Sequence, residues 1–254
     1  MLIIYILIFI LGLIIGSFLN VVIFRLKNNE NFIKGRSHCP KCNYKIKFYE
    51  NIPLLSYIFL FGKCSNCKNK ISLQYPVVEL ATGILFLVGY YLFSSNIIYL
   101  LYYFIILSFL IIIFVYDLKY YLILDKIVIP AIIFVLIFNF FNYWLLITDY
   151  WLLILSAIIG GGWFALQFFI SKGKWVGGGD IRLGVLMGLI LGWPGILVAL
   201  GLAYISGTII LLPFVTLKKK SLKSQVPFGV FLVPATIIVM FWGEKIINFY
   251  LGFF

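Results

Sequence analysis

IIYLLYYFIILSFLIIIFVYDLK, residues 97–119, holds twenty uncharged residues before it meets Asp117 and Lys119. A helix rises about 1.5 Å per residue, so a run of this length is about 30 Å long, the thickness of a bilayer's hydrocarbon core. Working outward, the same pattern recurs along the chain. Residues 1–24 are uncharged and end at Arg25 and Lys27; 76–93 precede the polar turn Ser94-Ser95-Asn96; 127–170 hold a single acid, Asp149; 183–217 are uncharged and end at Lys218-Lys219-Lys220; a last run starts near Phe228. A chain that is 64% hydrophobic and 11% charged, with a mean hydropathy of +1.13, carries far more apolar sequence than a soluble core needs. The expected fold is all-α, a polytopic membrane helix bundle of about eight transmembrane helices.

The charges orient it. The net charge of +12 is spread over the gaps between apolar runs, which is the pattern of membrane orientation and not of a nucleic-acid surface. Residues 25–75, the one long polar stretch, carry ten Lys/Arg against Glu30 and Glu50, and so are expected in the cytoplasm. Charges follow the first apolar run instead of preceding it, so that run reads as an uncleaved span with its N-terminus outside. Turns at Thr148-Asp149 and at Gly192-Trp193-Pro194-Gly195 complete the path, the latter splitting 183–217 into two short crossings or, as the alternative, a re-entrant pair. Both termini then lie outside, with only Lys245 of 20 Lys/Arg on that side.

Within this frame the acids near span ends stand out. Ionisable groups at a membrane edge are costly and mark function by default. Asp117, Asp125 and Asp180 all fall at the expected cytoplasmic edge, and Asp180 ends the string Gly177-Gly178-Gly179-Asp180. Two carboxylates that meet in a low-dielectric site share one proton and can serve as base and acid together. Glycines before the acid would let a substrate backbone approach closely. The single histidine, His38, lies in the polar loop, so Ser-His and His-metal hydrolysis within the membrane are unavailable. Neither G-x-S-x-G nor H-E-x-x-H occurs, and the glycine string has no preceding strand to make it a dinucleotide fingerprint. Asp125 reads as a helix-start cap or an aid to the acid pair. Glu79 reads as an acid in the first turn of a helix or as part of a substrate site. Asn20 reads as a polar residue facing the bundle.

Cys39-Pro-Lys-Cys42 and Cys64-Ser-Asn-Cys67 form a C-x2-C…C-x2-C pattern with 21 residues between the pairs. Two such knuckles suit one tetrahedral Zn²⁺, and a reducing cytoplasm disfavours disulfides. A structural zinc held by Cys39, Cys42, Cys64 and Cys67 is expected ahead of redox chemistry or disulfides, with His38 an exposed loop residue rather than a spare ligand.

These residues together resemble the type 4 prepilin peptidases, leader peptidases of an aspartic class. The opening Gly12-Leu-Ile-Ile-Gly16-Ser17-Phe18-Leu19-Asn20, the paired cysteine loop, Pro76-Val77-Val78-Glu79-Leu80, the segment from Asp117, and Gly177-Gly178-Gly179-Asp180 each match part of that family's pattern. Leu124-Asp125 stands where the family often has Pro-Asp, and Arg182 stands where it usually has Lys. The resemblance implies a multi-pass protein of the bacterial inner membrane that cuts the basic leader from prepilins or pseudopilins at the cytoplasmic face. It implies Asp117 and Asp180 as the catalytic pair, with Glu79 and Asp125 as possible accessories. S-adenosylmethionine is implied as methyl donor where the new N-terminus is methylated. Residues 1–92 would form the first span, the tetracysteine loop and the start of the second span, and 93–254 the peptidase domain. An ion-coupled transporter or proton relay, or a zinc-containing scaffold, would use membrane-edge acids or knuckles differently. The first expects midplane acids and internal repeats, and the second leaves two acids beside glycines unexplained.

Overall fold

A computed structural model describes residues 2–31, 35–143, 150–216 and 226–252. Among the described residues there is no β-strand, and helices account for nearly all regular structure. In order they are α1 (Leu2–Lys27), the short α2 (Leu55–Phe59), α3 (Gln74–Phe93), α4 (Ile97–Tyr120), α5 (Asp125–Tyr143), α6 (Tyr150–Ser171), α7 (Gly178–Leu191), α8 (Gly195–Thr216) and α9 (Gly229–Leu251). The eight long helices follow the apolar runs of the sequence. Six of them, α1, α3, α4, α6, α8 and α9, are long and apolar enough to cross a membrane. The chain is an all-helical, multi-pass membrane protein. The expected outer turn at Thr148-Asp149 and the basic run Lys218-Lys219-Lys220 lie outside the described residues.

The region 183–217 is split into two helices at the expected turn, but they are unequal. Gly192, at φ +63°, ends α7 where expected, but α7 has only 14 residues while α8 has 22. At 1.5 Å per residue α7 is about 21 Å long, short of the hydrocarbon core. Leu183, Leu186, Met187 and Leu189 are buried, so this short helix is enclosed by protein.

The chain forms two compact units, residues 1–112 and 113–254, with α4 running across the division. In the first, α1 and α3 approach through glycines. A methyl group at Gly12 would lie 2.7 Å from Cα of Gly83, and one at Gly16 would lie 2.8 Å from Cα of Glu79. This is small-residue packing, which membrane helices use because lipid offers no hydrophobic force to join them. Asn20 is buried as expected: its amide donates to the carbonyls of Gly16 (3.3 Å) and Tyr75 (3.1 Å), and its Oδ1 accepts from Gln74 Nε2 (2.9 Å). Stacked Phe86 and Phe104 rings, 4.1 Å apart, join α3 to α4.

In the second unit α6 and α7 make a closer contact of the same kind. Gly160 and Gly184 face each other so tightly that a Cβ on either would fall within 2.3 Å of the other's carbonyl oxygen. A Cβ at Gly188 would meet Ser156 O at 2.2 Å. The buried Asn139 of α5 donates to Leu189 O at 3.0 Å, holding α5 against the end of α7. Phe228, just before α9, packs its ring against Phe164 of α6 and Tyr204 of α8 at 5.9 and 5.0 Å. These contacts hold α5 and α6 against α7, and Phe228, at the start of α9, against α6 and α8.

Candidate active site and metal centre

Asp117 lies in the last turn of α4. The helix stops three residues later because Tyr121 takes φ +56°, its N–H still bonded to Asp117 O at 2.8 Å. The side chain is 4% exposed, and its Oδ2 is buried without a hydrogen-bond partner among the described residues. A buried carboxylate oxygen without a protein partner is rare in a core and marks a candidate functional group. The backbone N–H groups of Gly229 and Val230, at the start of α9, face this carboxyl. A helix N-terminus carries partial positive charge and favours an anion there. Gly229 must be glycine for this approach: a Cβ would sit 2.7 Å from Asp117 Oδ2 and 3.2 Å from its Cγ.

Asp180 lies in the first turn of α7, and its Oδ2 accepts the N–H of Gly177 at 2.9 Å. Its charge is felt at Asp117, 62 intervening positions away in sequence. The three glycines before Asp180 have separate situations. Gly177 supplies an N–H to the carboxylate. Gly178 faces open space, with nothing within 4 Å of a would-be Cβ. Gly179 packs on Ile123, whose Cβ would be 2.8 Å from its own.

Ile123 was not singled out by the sequence. It lies in the short link after α4 and touches both glycine segments, its Cδ1 being 3.4 Å from a Cβ at Gly229. Gly229 was also missed, although Pro227-Phe228-Gly229 ahead of an apolar run is a turn signal that marks it. Asp125 sits in the first turn of α5 and forms an ion pair with Arg182, two residues beyond Asp180. Both side chains are about half exposed, so the pair contributes at most about 1 kcal/mol. Its geometric effect is to tie the start of α5 to the first turns of α7.

Glu79 belongs to the first unit. It is not in the first turn of its helix, as one reading expected; α3 begins at Gln74, which puts Glu79 in the second turn, 6% exposed. Its Oε2 accepts the N–H of Leu54 at 2.9 Å. Leu54 has φ +58°, a conformation that L residues seldom adopt, and this bond helps hold it there. Gln74 Oε1 is a second buried acceptor without a partner among the described residues.

The four cysteines converge. All four Sγ atoms lie within 4.8 Å of one another, and Cys39 and Cys67 are 3.9 Å apart with no disulfide. A tetrahedral zinc with Zn–S bonds of about 2.3 Å spaces its sulfurs about 3.8 Å apart, so the cluster fits a Zn²⁺ ion. The two knuckles have the same backbone turn. Asn43 N–H bonds to Cys39 O and Lys68 N–H to Cys64 O, at 2.9 and 3.1 Å, while Asn43 and Lys68 take φ +55° and +57°. Burial pushes the Cys39 thiol up to about 11, whereas hydrogen bonds from the Asn69 backbone and side chain bring Cys67 down to about 6. His38 is outside the cluster; its ring meets Phe24 edge-on at 5.7 Å. Arg25, buried at the end of α1, donates to the carbonyls of Asn31, Gly35 and Arg36 and so fixes the start of the loop that bears the knuckles.

Comparison with known proteins places this arrangement. Residues 10–93 match the bacterial Peptidase A24 N-terminal domain, and residues 104–212 match the type IV leader peptidase family. A prepilin leader peptidase/N-methyltransferase of Legionella pneumophila is 31% identical over 98% of this chain and 95% of its own length. Proteins of the same description from Pseudomonas aeruginosa (30% identical, 96% and 92%) and Aeromonas salmonicida (31%, 97% and 93%) are similar over nearly their full lengths. No solved structure matches the chain. With two adjoining family matches and relatives that align from end to end, the chain belongs to the type IV leader peptidase family.

Proposed function

We propose that this protein is a membrane aspartic endopeptidase that removes the basic leader of type IV prepilins or pseudopilins at the cytoplasmic face of the bacterial inner membrane. The observation that carries the reading is the buried Asp117 carboxyl, with one oxygen unpartnered and the Asp180 charge acting on it. Two carboxyl groups that act on one another at a membrane edge can share one proton and so serve as base and acid together. One carboxylate takes a proton from the attacking water, and the other carboxyl donates to the scissile amide. After the tetrahedral intermediate forms, proton transfer to the leaving nitrogen completes cleavage. The N–H groups at the start of α9 hold Asp117 in place, and the open side of Gly178 leaves room for an extended substrate backbone. Residues 93–254 would carry this chemistry.

The relatives are also named N-methyltransferases, and the reading extends to methylation of the new N-terminus, for which S-adenosylmethionine would supply the methyl group. The acceptors of the first unit suit a cationic donor: the Glu79 carboxylate is buried without a cation beside it among the described residues, and Gln74 Oε1 is unpartnered. Glu79 would hold the donor's positive charge. The zinc bound by Cys39, Cys42, Cys64 and Cys67 would have a structural role. Cleavage of a prepilin-like peptide tests the central reading. Asp117→Asn and Asp180→Asn should each abolish cleavage while zinc content stays whole, and Asp149→Asn should change little. Near-normal cleavage by either of the first two would remove the aspartic mechanism from these residues.

A further inference from the structure

The segment from Ile52 to Phe61 is apolar, yet it is poorly covered by protein. Leu55, Ile58, Phe59 and Phe61 are 52%, 63%, 75% and 88% exposed. In water such a cluster would be a liability, and contiguous apolar patches on a folded surface mark interaction sites. Its position identifies the partner. Glu79 is the sixth residue of α3, about 7–8 Å along a helix that itself crosses the membrane. The bond of 2.9 Å from Leu54 N–H to Glu79 therefore holds this segment at the depth of the membrane edge. The segment lies in the loop that joins two membrane helices, α1 and α3, with one cysteine knuckle on each side of it.

Charge agrees with position. Lys63 follows the patch after Gly62 and lies opposite Lys70 in an antiparallel bridge, so two lysines leave the backbone side by side. That arrangement is unfavourable unless anions lie nearby. No carboxylate forms an ion pair with Lys63, Lys68 or Lys70 among the described residues. We infer that residues 52–61 are a membrane-surface anchor, with Leu55, Ile58, Phe59 and Phe61 inserted among lipid acyl chains and Lys63 and Lys70 on anionic headgroups. The occupant of the exposed apolar face is then phospholipid, as for other interfacial segments that combine apolar side chains with lysines. The anchor holds the cysteine knuckles on the bilayer surface.

Photocrosslinking tests this without reference to activity. Phe59 and Phe61 are each replaced by p-benzoylphenylalanine in the full chain, and the protein is reconstituted with zinc in vesicles of phosphatidylethanolamine and phosphatidylglycerol. After irradiation, mass spectrometry should find phospholipid adducts as the main product at both positions. Changing Lys63 and Lys70 together to Gln should reduce adduct yield at least threefold in these vesicles. Solvent-reduced benzophenone without lipid adducts, at both positions in protein that retains zinc, would overturn the anchor. Crosslinks that shift to a prepilin peptide added to the vesicles would overturn it in favour of a substrate surface. Equal yields with and without the two lysines would remove the headgroup contact.

Discussion

Gly229→Ala separates the geometry of the acid pair from the stability of the fold. The added methyl would lie 2.7 Å from Asp117 Oδ2 and 3.2 Å from Cγ, where ordinary contact begins at 3.4 Å. The carboxyl must therefore recede by about 0.7 Å, or the start of α9 must move by as much. A displacement of 1 Å at a reacting group costs about 100-fold. The expected result is a kcat lower by roughly 10- to 100-fold, equivalent to about 1.4–2.7 kcal/mol of barrier. Overpacking costs about 1–3 kcal/mol of stability, which a protein of normal stability survives. KM should change little, since no proposed substrate contact is removed. The assay is initial-rate cleavage of a prepilin-like peptide over a range of concentrations, beside thermal unfolding of the same preparations. A folded Gly229→Ala protein with kcat within twofold of the parent would refute the claim that Asp117, at this position, acts on the substrate.

The glycines before Asp180 should divide in the same assay. Gly178→Ala meets nothing within 4 Å and should leave stability unchanged while raising KM, whereas Gly179→Ala drives into Ile123 and should lower thermal stability. Glu79→Gln keeps an acceptor for Leu54 N–H but loses the charge, so cleavage and zinc should persist while methyl transfer, read by mass spectrometry of the product, falls at least tenfold. Gly188→Ala, with a Cβ 2.2 Å from Ser156 O, must push α6 from α7 and should lower the melting temperature measurably. Zinc retention should fall with pH. Cys67, lowered to about 6, is a thiolate at neutral pH and becomes protonated as pH drops through that value, while Cys39, raised to about 11, must give up its proton to bind metal. The zinc affinity of the metal-free protein, read by competition with a chromogenic chelator, should therefore fall as pH is lowered from 8 to 5, and an affinity flat over that range would contradict thiolate ligation.

The distribution of charge along this chain is enough to determine that it is a helical membrane protein, because a bilayer admits few alternatives. An uncharged run of about twenty residues in lipid must form a helix to satisfy its own backbone. The C-x2-C spacing likewise marked four candidate metal ligands, since each knuckle is a local turn, and the thiols meet closely enough to hold a metal ion. Asn20 was legible as a buried polar residue because a lone amide in an apolar run has few other uses. The acids at span ends and the glycines before Asp180 were legible as candidates for the same kind of reason. What local pattern cannot contain is who meets whom across distant segments. Only tertiary structure brought Gly229, with no sequence link to Asp117, against its carboxyl, placed Ile123 between two glycine segments, and paired Asp125 with Arg182. It also set Glu79 one turn deeper than expected, bonded to Leu54, because helix starts depend on how the preceding loop docks. The shortness of α7 has the same origin: a helix enclosed by others on several sides is not required to match the bilayer, so its length answers to its neighbours.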